Sequence, residues 1–357
     1  MSRQKAMNPD PKSAVSSNGV PVLRSVEPRF AMPGGEIRIV GEGLMPRPER
    51  PRVNIGQDPA SILFGSDTLM VARVPEDATS GPLTVETALG TSAPADVRVA
   101  VPIAENLHPV ANPAVDSDGN IFATFSGARG QAVPVSIFRV DTNFNLHPFL
   151  TGLMNATGLA LDIENNLYVS SRNDGTVYKV SPLGELSTYA QGMGVATGIA
   201  FDAEGNLYVG DRSGTVFKIA RDREIFVFAT LEPSVAAYHL AFSPNGNLYV
   251  TGPTTSSNDA IYEIDPHGDM SVYYRGLGRP QGLAFDKDGN MYVVASYKGR
   301  RGVVRFTSPQ DPSIVVSGNA LVGLAFAPEG GLVLATTSGL NFLKCGIEGY
   351  LHRPLLG

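Results

Sequence analysis

His239 is the residue of this sequence best placed to do chemistry. Together with Tyr238 it stands where two similar segments of the chain have a Thr-Gly pair, at residues 157–158 and 197–198. An imidazole binds metal ions or takes up a proton near neutral pH, so His239 is a candidate catalytic or metal-binding residue. The alternative is a histidine that is packed or hydrogen-bonded. The other four, in strand-edge or loop contexts, we interpret as structural or solvated: His108, His147, His267 and His352.

Three variable loops carry further candidate residues. The loops span 170–175, 210–214 and 295–302, and their charged or aromatic residues are Arg172, Asp174, Asp211, Arg212, Tyr297 and Lys298. Variable loops on a rigid scaffold commonly carry the binding function. We therefore predict a ligand-binding surface made by these residues with Tyr238, His239 and Gln281. In the alternative interpretation, the charges of the first two loops are solvated ion pairs that contribute little.

The motifs of several enzyme classes are absent from the sequence. It contains no Gly-x-Ser-x-Gly and no His-Glu-x-x-His. The Asp-x-Asp-Gly-Asn runs at 116–120 and 286–290 resemble a calcium loop, but their glycine is in the fourth position instead of the sixth, so we interpret them as turns. A single cysteine, Cys345, excludes both an intramolecular disulfide and a zinc site built from several cysteines. No motif therefore assigns a reaction.

The elements that would position these residues are predicted by an internal repeat. Six segments similar to Gly-Leu-Ala-Phe-Asp-x-x-Gly-Asn-Leu-Tyr-Val lie at 114–124, 158–171, 198–211, 239–252, 282–295 and 323–336. At the centre of each is a glycine or an asparagine, the residues that best tolerate positive φ: Gly119, Asn165, Gly205, Gly246, Gly289 and Gly330. Each segment therefore predicts two strands joined by a tight turn.

Two more short apolar runs follow each hairpin, so each repeat predicts four antiparallel strands. Six such units closed radially form a six-bladed β-propeller, which we predict for residues 102–357. The first strand of each unit contains small and apolar residues, as expected around a central channel. For the outer strand of the last blade the sequence offers two segments, 349–356 and 99–103.

The N-terminal part of the chain predicts a separate unit. Residues 1–20 are polar and rich in Pro, Ser and Asn, which is typical of a disordered tail. Residues 21–101 contain at least five short alternating runs bounded by Gly, Pro or Asp, which predict an immunoglobulin-like β-sandwich. The predicted fold class is therefore all-β: an N-terminal sandwich followed by a six-bladed propeller.

Charge argues against nucleic acid as a partner. Residues 1–100 contain 11 basic and 11 acidic residues, and residues 101–357 contain 17 and 23, so the whole net charge of −6 lies in the predicted propeller. Nucleic-acid binding usually requires a basic excess on the binding module. No apolar stretch is long enough to span a bilayer, and the polar start is not typical of a signal peptide. As written, the chain would remain in the cytoplasm.

Two family resemblances add to this interpretation. The repeats over 113–336 resemble NHL repeats and, more broadly, the six-bladed gluconolactonase-like superfamily. Residues 25–44 and 74–92 resemble an IPT/TIG domain, an immunoglobulin-like module of bacterial surface proteins, receptors and transcription factors. The first resemblance implies a platform for binding proteins, ligands or RNA, or a lactonase or lyase. The second also allows a secreted or cell-surface protein, so the compartment stays open.

The gluconolactonase resemblance would imply a metal in the channel. In that family a Glu, two Asn and an Asp converge on one calcium or zinc ion, and an Asn typically stands in Pro-Asn-Gly at the start of an inner strand. No matching position here reads Pro-Asn-Gly, and Pro-Gln-Gly at 280–282 comes closest. A divalent cation could be held only by residues such as Asn112, His239 and Gln281. We therefore expect no cofactor unless the chain is an enzyme.

Two functions follow as hypotheses. In the first, the protein is a non-enzymatic binding module: a propeller face binds a protein, peptide or glycan, and the sandwich is a spacer or docking unit. In the second, it is a metal-dependent, lactonase-like hydrolase or lyase with its site in the channel. The intact scaffold without a recognisable catalytic set favours the first.

Overall fold

The computed structural model describes residues 19–46, 49–127, 131–256 and 258–350. Its regular structure is strand apart from one short 3-10 turn at Pro328–Gly330. Within these ranges no helix is long and apolar enough to cross a membrane. The predicted all-β class is confirmed. Of the predicted disordered tail, residues 1–18 lie outside the described residues.

Nine strands precede the propeller. They are β1 (Val22–Glu27), β2 (Phe30–Ala31), β3 (Glu36–Glu42), β4 (Arg52–Ile55), β5 (Asp58–Gly65), β6 (Leu69–Arg73), β7 (Gly81–Thr87), β8 (Gly90–Thr91) and β9 (Ala95–Val99). They hydrogen-bond in the order β1-β3-β6-β5-β4-β7-β9-β2, with β8 beside β7. Alternate residues of these strands, among them Ile37, Ile39, Met70 and Val85, meet in one buried apolar core. The immunoglobulin-like assignment of this unit stays a prediction.

Four separate four-stranded sheets come next along the chain. The first is β11 (Ala114–Val115), β12 (Ile121–Thr124), β13 (Ile137–Val140) and β14 (Leu146–Leu150). The second is β15 (Ala156–Leu161), β16 (Leu167–Ser171), β17 (Thr176–Val180) and β18 (Leu186–Ala190). The third is β19 (Ala196–Phe201), β20 (Leu207–Asp211), β21 (Thr215–Ile219) and β22 (Ile225–Thr230). The fourth is β23 (His239–Phe242), β24 (Leu248–Thr251), β25 (Asp259–Ile264) and β26 (Met270–Leu277).

The last separate sheet is closed by a strand from the start of the propeller. It contains β31 (Leu321–Ala327), β32 (Gly331–Thr336), β33 (Gly339–Lys344) and, on its outer edge, β10 (Val101–Glu105). Of the two segments that the sequence offers for this edge, the one at 99–103 contributes to the strand that occupies it. Gly349 of the other bridges to Asp286, and residues 351–357 lie outside the described residues. The propeller is thus joined end to end by hydrogen bonds between its first and last strands.

The remaining four strands are not a separate sheet. They are β27 (Leu283–Phe285), β28 (Met291–Tyr297), β29 (Arg300–Phe306) and β30 (Pro312–Ser317). They pair in sequence, but β2 pairs in parallel with both β30 and β9, so they continue into the N-terminal strands as one 13-stranded sheet. The propeller is confirmed with five separate blades, and the predicted count of six is not. The repeat could not predict this continuous sheet, because Phe30–Ala31 lies outside the repeated segments and its pairing with β30 leaves no signal in them.

The hairpin turns are held by a repeated side-chain network. In the second sheet, Asp162 accepts hydrogen bonds from the side chains of Asn166 (2.8 Å) and Tyr168 (3.2 Å), and the amine of Lys179 lies 3.7 Å away. In the third sheet, Asp202 accepts a hydrogen bond from the Asn206 side chain (2.7 Å) in the same way. The repeated Asp and Asn of the sequence therefore serve the turn, as predicted for turn chemistry.

The fourth sheet forms the same hydrogen-bond network, but its carboxylate comes from a different position. Ser243 stands where four of the other five hairpins have aspartate, and Glu263 stands where the same four have lysine or arginine. Glu263 Oε1 accepts the hydrogen bonds of Asn247 and Tyr249, each at 2.7 Å. The acid has moved from the first strand to the third, and the tyrosine and asparagine keep a carboxylate partner.

This exchange predicts a charge clash that a second substitution relieves. Ser243→Asp places a second carboxylate beside Glu263, so we expect the free energy of unfolding to fall by about 1 kcal/mol at neutral pH. Adding Glu263→Lys recreates the aspartate–lysine arrangement of the second sheet, and we expect most of the loss to return. Urea unfolding of the wild type, both single variants and the double variant measures the coupling. Additive effects of the two substitutions would contradict it.

Candidate functional site

The inner strands surround a central channel in cyclic order: β11, β15, β19, β23, β27 and β31 each contact the next, and β31 contacts β11. Each inner strand starts at the end of the channel where the loops 170–175, 210–214 and 295–302 lie, which we name the loop face. It ends at the hairpin turns, which we name the turn face. The two faces are therefore the two mouths of the channel.

The channel is narrow near the loop face because neighbouring strands touch there through glycine. A β-carbon on Gly158 would lie 2.2 Å from the Thr197 carbonyl oxygen, and one on Gly198 would lie 2.4 Å from that of Tyr238. The amide of Gly198 donates a 2.9 Å hydrogen bond to the same Tyr238 oxygen. Gly282 and Gly323 make similar close approaches. These glycines of the sequence motif are required by packing between sheets.

Asn112 occupies the glycine position of the first repeat and reaches across the channel. Its Nδ2 donates to the carbonyl oxygen of Leu283 (2.9 Å), and its Oδ1 accepts a hydrogen bond from the amide of Leu324 (3.1 Å). The side chain thus links the first sheet to β27 and β31. Asn112 is a structural residue here, and both ends of its amide are engaged.

A cavity of about 230 Å³ extends from this narrow level to the turn face. Asp162 lies four positions after Gly158 along its wall, and four strand steps make the cavity about 13 Å deep. Its wall includes one alanine from every inner strand: Ala114, Ala160, Ala200, Ala241, Ala284 and Ala325. Its mouth is polar, with Asp116, Ser117, Asp162 and Asn165. The sequence motif contains this alanine, but the motif alone does not distinguish the lining of a site from ordinary packing.

His239 lies at the inner end of the cavity. Its side chain is buried, with only 3% of the residue exposed, and within the described ranges its imidazole has no hydrogen-bond or ion-pair partner. Burial lowers the pKa of His239 from 6.5 to about 4, because no neighbouring group compensates for the lost hydration of the charged form. At neutral pH the ring is therefore an uncharged donor and acceptor facing an apolar space.

The first loop residues are held by protein contacts, Arg172 by the preceding blade and Asp174 by its own turn. Arg172 donates from Nη2 to Ser126 Oγ (3.2 Å) and to the Gly127 carbonyl oxygen (3.1 Å). Asp174 accepts the Thr176 amide and the Tyr178 hydroxyl, and its pKa is lowered by hydrogen bonds although burial opposes the shift. They do not form the predicted ion pair within the described residues.

The second loop and Tyr238 are similarly engaged. Asp211 is buried and accepts the amide of Val195 at 2.8 Å. Arg212 donates to the Ser234 carbonyl oxygen at 3.4 Å. The hydroxyl of Tyr238 donates to the Glu232 carbonyl oxygen, and burial raises the pKa of this phenol far above its usual value. These residues therefore hold the third sheet and its connection to the fourth at the loop face.

Lys298 and Gln281 remain accessible on the loop face. The Lys298 amine lies 4.9 Å from the centre of the Tyr297 ring, a cation–π contact at the surface. Gln281 lines a second, separate cleft with Ser296 and Arg301. The predicted surface is therefore divided: His239 faces the cavity that opens on the turn face, and the other eight residues do not line that cavity. Their role in binding stays a prediction.

The residues proposed for a metal do not fit a common site. Both ends of the Asn112 amide are engaged, and Gln281 does not line the cavity that Asn112 and His239 share. Across the described part of the chain, no three His, Cys, Asp or Glu side chains gather in a group that could hold a metal ion. We derive no metal-dependent step from this geometry.

Comparisons with known proteins identify the fold. No family model matches the sequence, and no curated protein does. Among 468 solved chains that share the fold is a presumed gluconolactonase, at a TM-score of 0.59 and 18% identity, covering 71% of this chain and 94% of its own. So many structures with one fold do not give a function.

Two solved structures extend beyond the propeller. A protein of unknown function from Bacteroides thetaiotaomicron covers 92% of this chain and 99% of its own, at a TM-score of 0.55 and 13% identity. An auxiliary nutrient binding protein from the same organism covers 90% and 97%, at a TM-score of 0.52 and 12% identity. Such low identities establish the β-propeller fold alone, and the sandwich and the function need other arguments.

Proposed function

We propose that this protein is a binding module whose channel cavity takes a small, uncharged, largely apolar ligand with one hydrogen-bonding group. The observation that carries the proposal is the imidazole of His239, which has no hydrogen-bond partner within the described ranges and lies at the inner end of a cavity with an alanine-lined wall and a polar mouth. Its ring nitrogens are not sealed off from the cavity, and a polar group facing an alanine-lined wall gains from a hydrogen bond. A ligand that hydrogen-bonds to the ring supplies the missing partner.

The low pKa of His239 favours binding over acid–base catalysis. A general base works best when its pKa is close to the working pH, because it must then both be free and attract a proton. With a pKa of about 4, His239 is free at neutral pH but attracts a proton weakly. Its chemistry suits a fixed hydrogen bond to a neutral ligand.

The cavity limits the size and the charge of the ligand. Its volume of about 230 Å³ is below the roughly 300–1,000 Å³ of sites for drug-sized molecules. The carboxylates of Asp116 and Asp162 at the mouth disfavour anions. The neighbouring nutrient-binding structure supports a small-molecule role. A protein, peptide or glycan on the loop face remains our wider proposal.

The architecture is part of the proposal. The cyclic order of the six inner strands supports a six-bladed ring in which β27–β30 form the fifth blade and share an edge with β2. The N-terminal strands would then be the IPT/TIG-like unit over 21–101, acting as a spacer or docking unit. Hydrogen bonds from Arg300 to the carbonyl oxygens of Glu27 and Glu36 support a fixed orientation between the two.

Replacing His239 with alanine tests the site. Indole and phenol are neutral, mostly apolar probes with one donor, and we expect the wild type to bind at least one of them. His239→Ala removes the hydrogen bond while enlarging the cavity, so we expect affinity to fall about tenfold. Saturation-transfer NMR followed by titration calorimetry measures the change.

His267→Ala is the matched control, because His267 is exposed in a turn and lies outside the cavity. It should bind the probes as the wild type does. Ala241→Leu fills the cavity while keeping the imidazole, and we expect it to abolish binding. Probe binding that is unchanged in both His239→Ala and Ala241→Leu would refute the channel as the site.

The alternative function is a lactonase-like hydrolase or lyase. Its site would lie in the channel, and His239 is a channel residue that could take part in it. Metal analysis of the purified protein and a screen of lactones with added calcium or zinc separate the two functions. A stoichiometric divalent ion together with turnover would overturn the binding-only proposal.

A further inference from the structure

A second cleft lies on the loop face, beyond the narrow level of the channel. It measures about 280 Å³ and is lined by residues of β28, β29 and β31 and of the loops before them. Polar or charged groups contribute much of the lining, including Arg279, Gln281, Ser296, Arg301 and Thr337. Gly282 and Gly323 separate it from the channel cavity. It is therefore a different site from the one that contains His239.

Two arginines of this cleft have no partner. Arg279 and Arg301 both line it and both are exposed. Within the described ranges neither guanidinium group makes a hydrogen bond, an ion pair or a ring contact. The adjacent Arg300, in contrast, donates to two backbone carbonyl oxygens. The feature of the cleft is that two guanidinium groups without a protein partner line it together.

The surrounding charge is opposite to that of the propeller. Residues 101–357 have a net charge of −6, yet the loops 275–282 and 295–302 contain five basic residues and no acidic one. The carboxylate that contacts the loop 275–282 is that of the buried Asp259. Its oxygens already accept hydrogen bonds from the amides of Thr254 (2.8 Å) and Arg279 (3.1 Å). No acidic side chain lines the cleft itself.

The backbone of Arg279 is held in an unfavourable conformation. Its φ is +47°, in the left-handed region that costs a residue other than glycine about 1 kcal/mol or more. The matching positions of other repeats are Asn155 and Ala320, also with positive φ. The hydrogen bond to Asp259 holds the turn and presents the arginine at the cleft. Such outliers commonly occur where a residue has a function.

From these observations we infer that the loop-face cleft binds an anionic small molecule through a carboxylate or phosphate group held by Arg279 and Arg301. Planar guanidinium groups match both groups with paired, charge-assisted hydrogen bonds. Gln281, Ser296 and Thr337 are available as additional polar contacts. The site does not depend on the channel proposal, because it takes ligands of the opposite character at the other mouth.

Calorimetric titration with citrate and with inorganic phosphate at low ionic strength tests the inference. We expect saturable binding of at least one anion by the wild type, and about a tenfold loss in Arg279→Gln and in Arg301→Gln. Arg301→Lys, which keeps the charge but not the planar fork, should retain part of the affinity. Binding of citrate alone would indicate a carboxylate ligand, and binding of phosphate alone a phosphorylated one.

Arg221→Gln is the matched control, since Arg221 is exposed in a turn away from the cleft. His239→Ala should bind the anions as the wild type does, so the two sites can fail separately. Thermal unfolding of each variant confirms that it is folded. Absence of saturable binding of both anions, or an equal loss in Arg221→Gln, would overturn the inference.

Discussion

Gly198→Ala is expected to lower the free energy of unfolding by about 3 kcal/mol. A β-carbon there would lie 2.4 Å from the Tyr238 carbonyl oxygen and 3.0 Å from the Cα of His239. Both atoms belong to the backbone of the next sheet, so no side chain can rotate away and the sheets must separate. The loss should appear as a lower urea midpoint with an unchanged slope.

Gly192→Ala separates this clash from ordinary backbone strain. Gly192 has a φ of +91°, and nothing lies within 4 Å of a β-carbon built on it. We expect it to cost about 1 kcal/mol through its conformation alone. If Gly198→Ala were no more harmful than Gly192→Ala, the inner strands would not be held together as closely as described.

Asn112→Asp should produce a pH-dependent loss of stability. The Asn112 amide donates to Leu283 and accepts from Leu324, and an ionised carboxylate could only accept. Its charge would face the Leu283 carbonyl oxygen, so we expect a loss of about 3 kcal/mol at pH 7.5. A protonated carboxyl group can donate, so the folded state favours the protonated form and the loss should shrink as the pH falls toward the pKa of the group.

Comparison with Asn112→Ala at each pH isolates the charge. Alanine removes the same two hydrogen bonds without introducing a titrating group, so its cost, about 2 kcal/mol, should not vary with pH. Urea unfolding of wild type and both variants at several pH values between 4.5 and 7.5 measures the difference. A constant gap between Asn112→Asp and the wild type would contradict the prediction.

The local structure of the propeller could be predicted from the sequence because each repeat contains its own signals. Gly205 and Asn165 mark turns with positive φ, and the strands on either side of them are paired as the hairpin prediction requires. Such contacts are near in sequence and depend on residue type. They recur in every repeat, so one chance resemblance could not produce them.

Pairings between distant segments were not predictable in the same way. The parallel pairing of Phe30–Ala31 with Val316–Ser317 uses only backbone groups, which every residue type offers. This pairing joins the N-terminal strands to the strands β27–β30, and nothing in the repeat pattern predicts that the two are connected. For the same reason, the sequence offered two segments for the outer strand of the last sheet. The pairing of β10 with β33 in the structure shows which segment takes that position.

The candidate site was predictable in part. His239 is conspicuous in sequence because it breaks a repeat, and it does face the cavity. The loop residues were selected by their variability, yet Asp211 is engaged by Val195 within its own sheet and Tyr238 by Glu232 in the connection that precedes its strand. The open mouth of the channel is determined by where neighbouring inner strands approach each other. These approaches arise only when the sheets are assembled into the ring, so a single repeat does not predict them.

Strand β10 supplies the outer edge of a sheet whose other three strands come last in the chain. During translation it emerges first and must wait until β33 leaves the ribosome, more than 200 residues later. At about 5–20 residues per second this interval is on the order of tens of seconds. For that time the nascent chain carries an unpaired strand, the type of edge that chaperones shield and that other chains can capture.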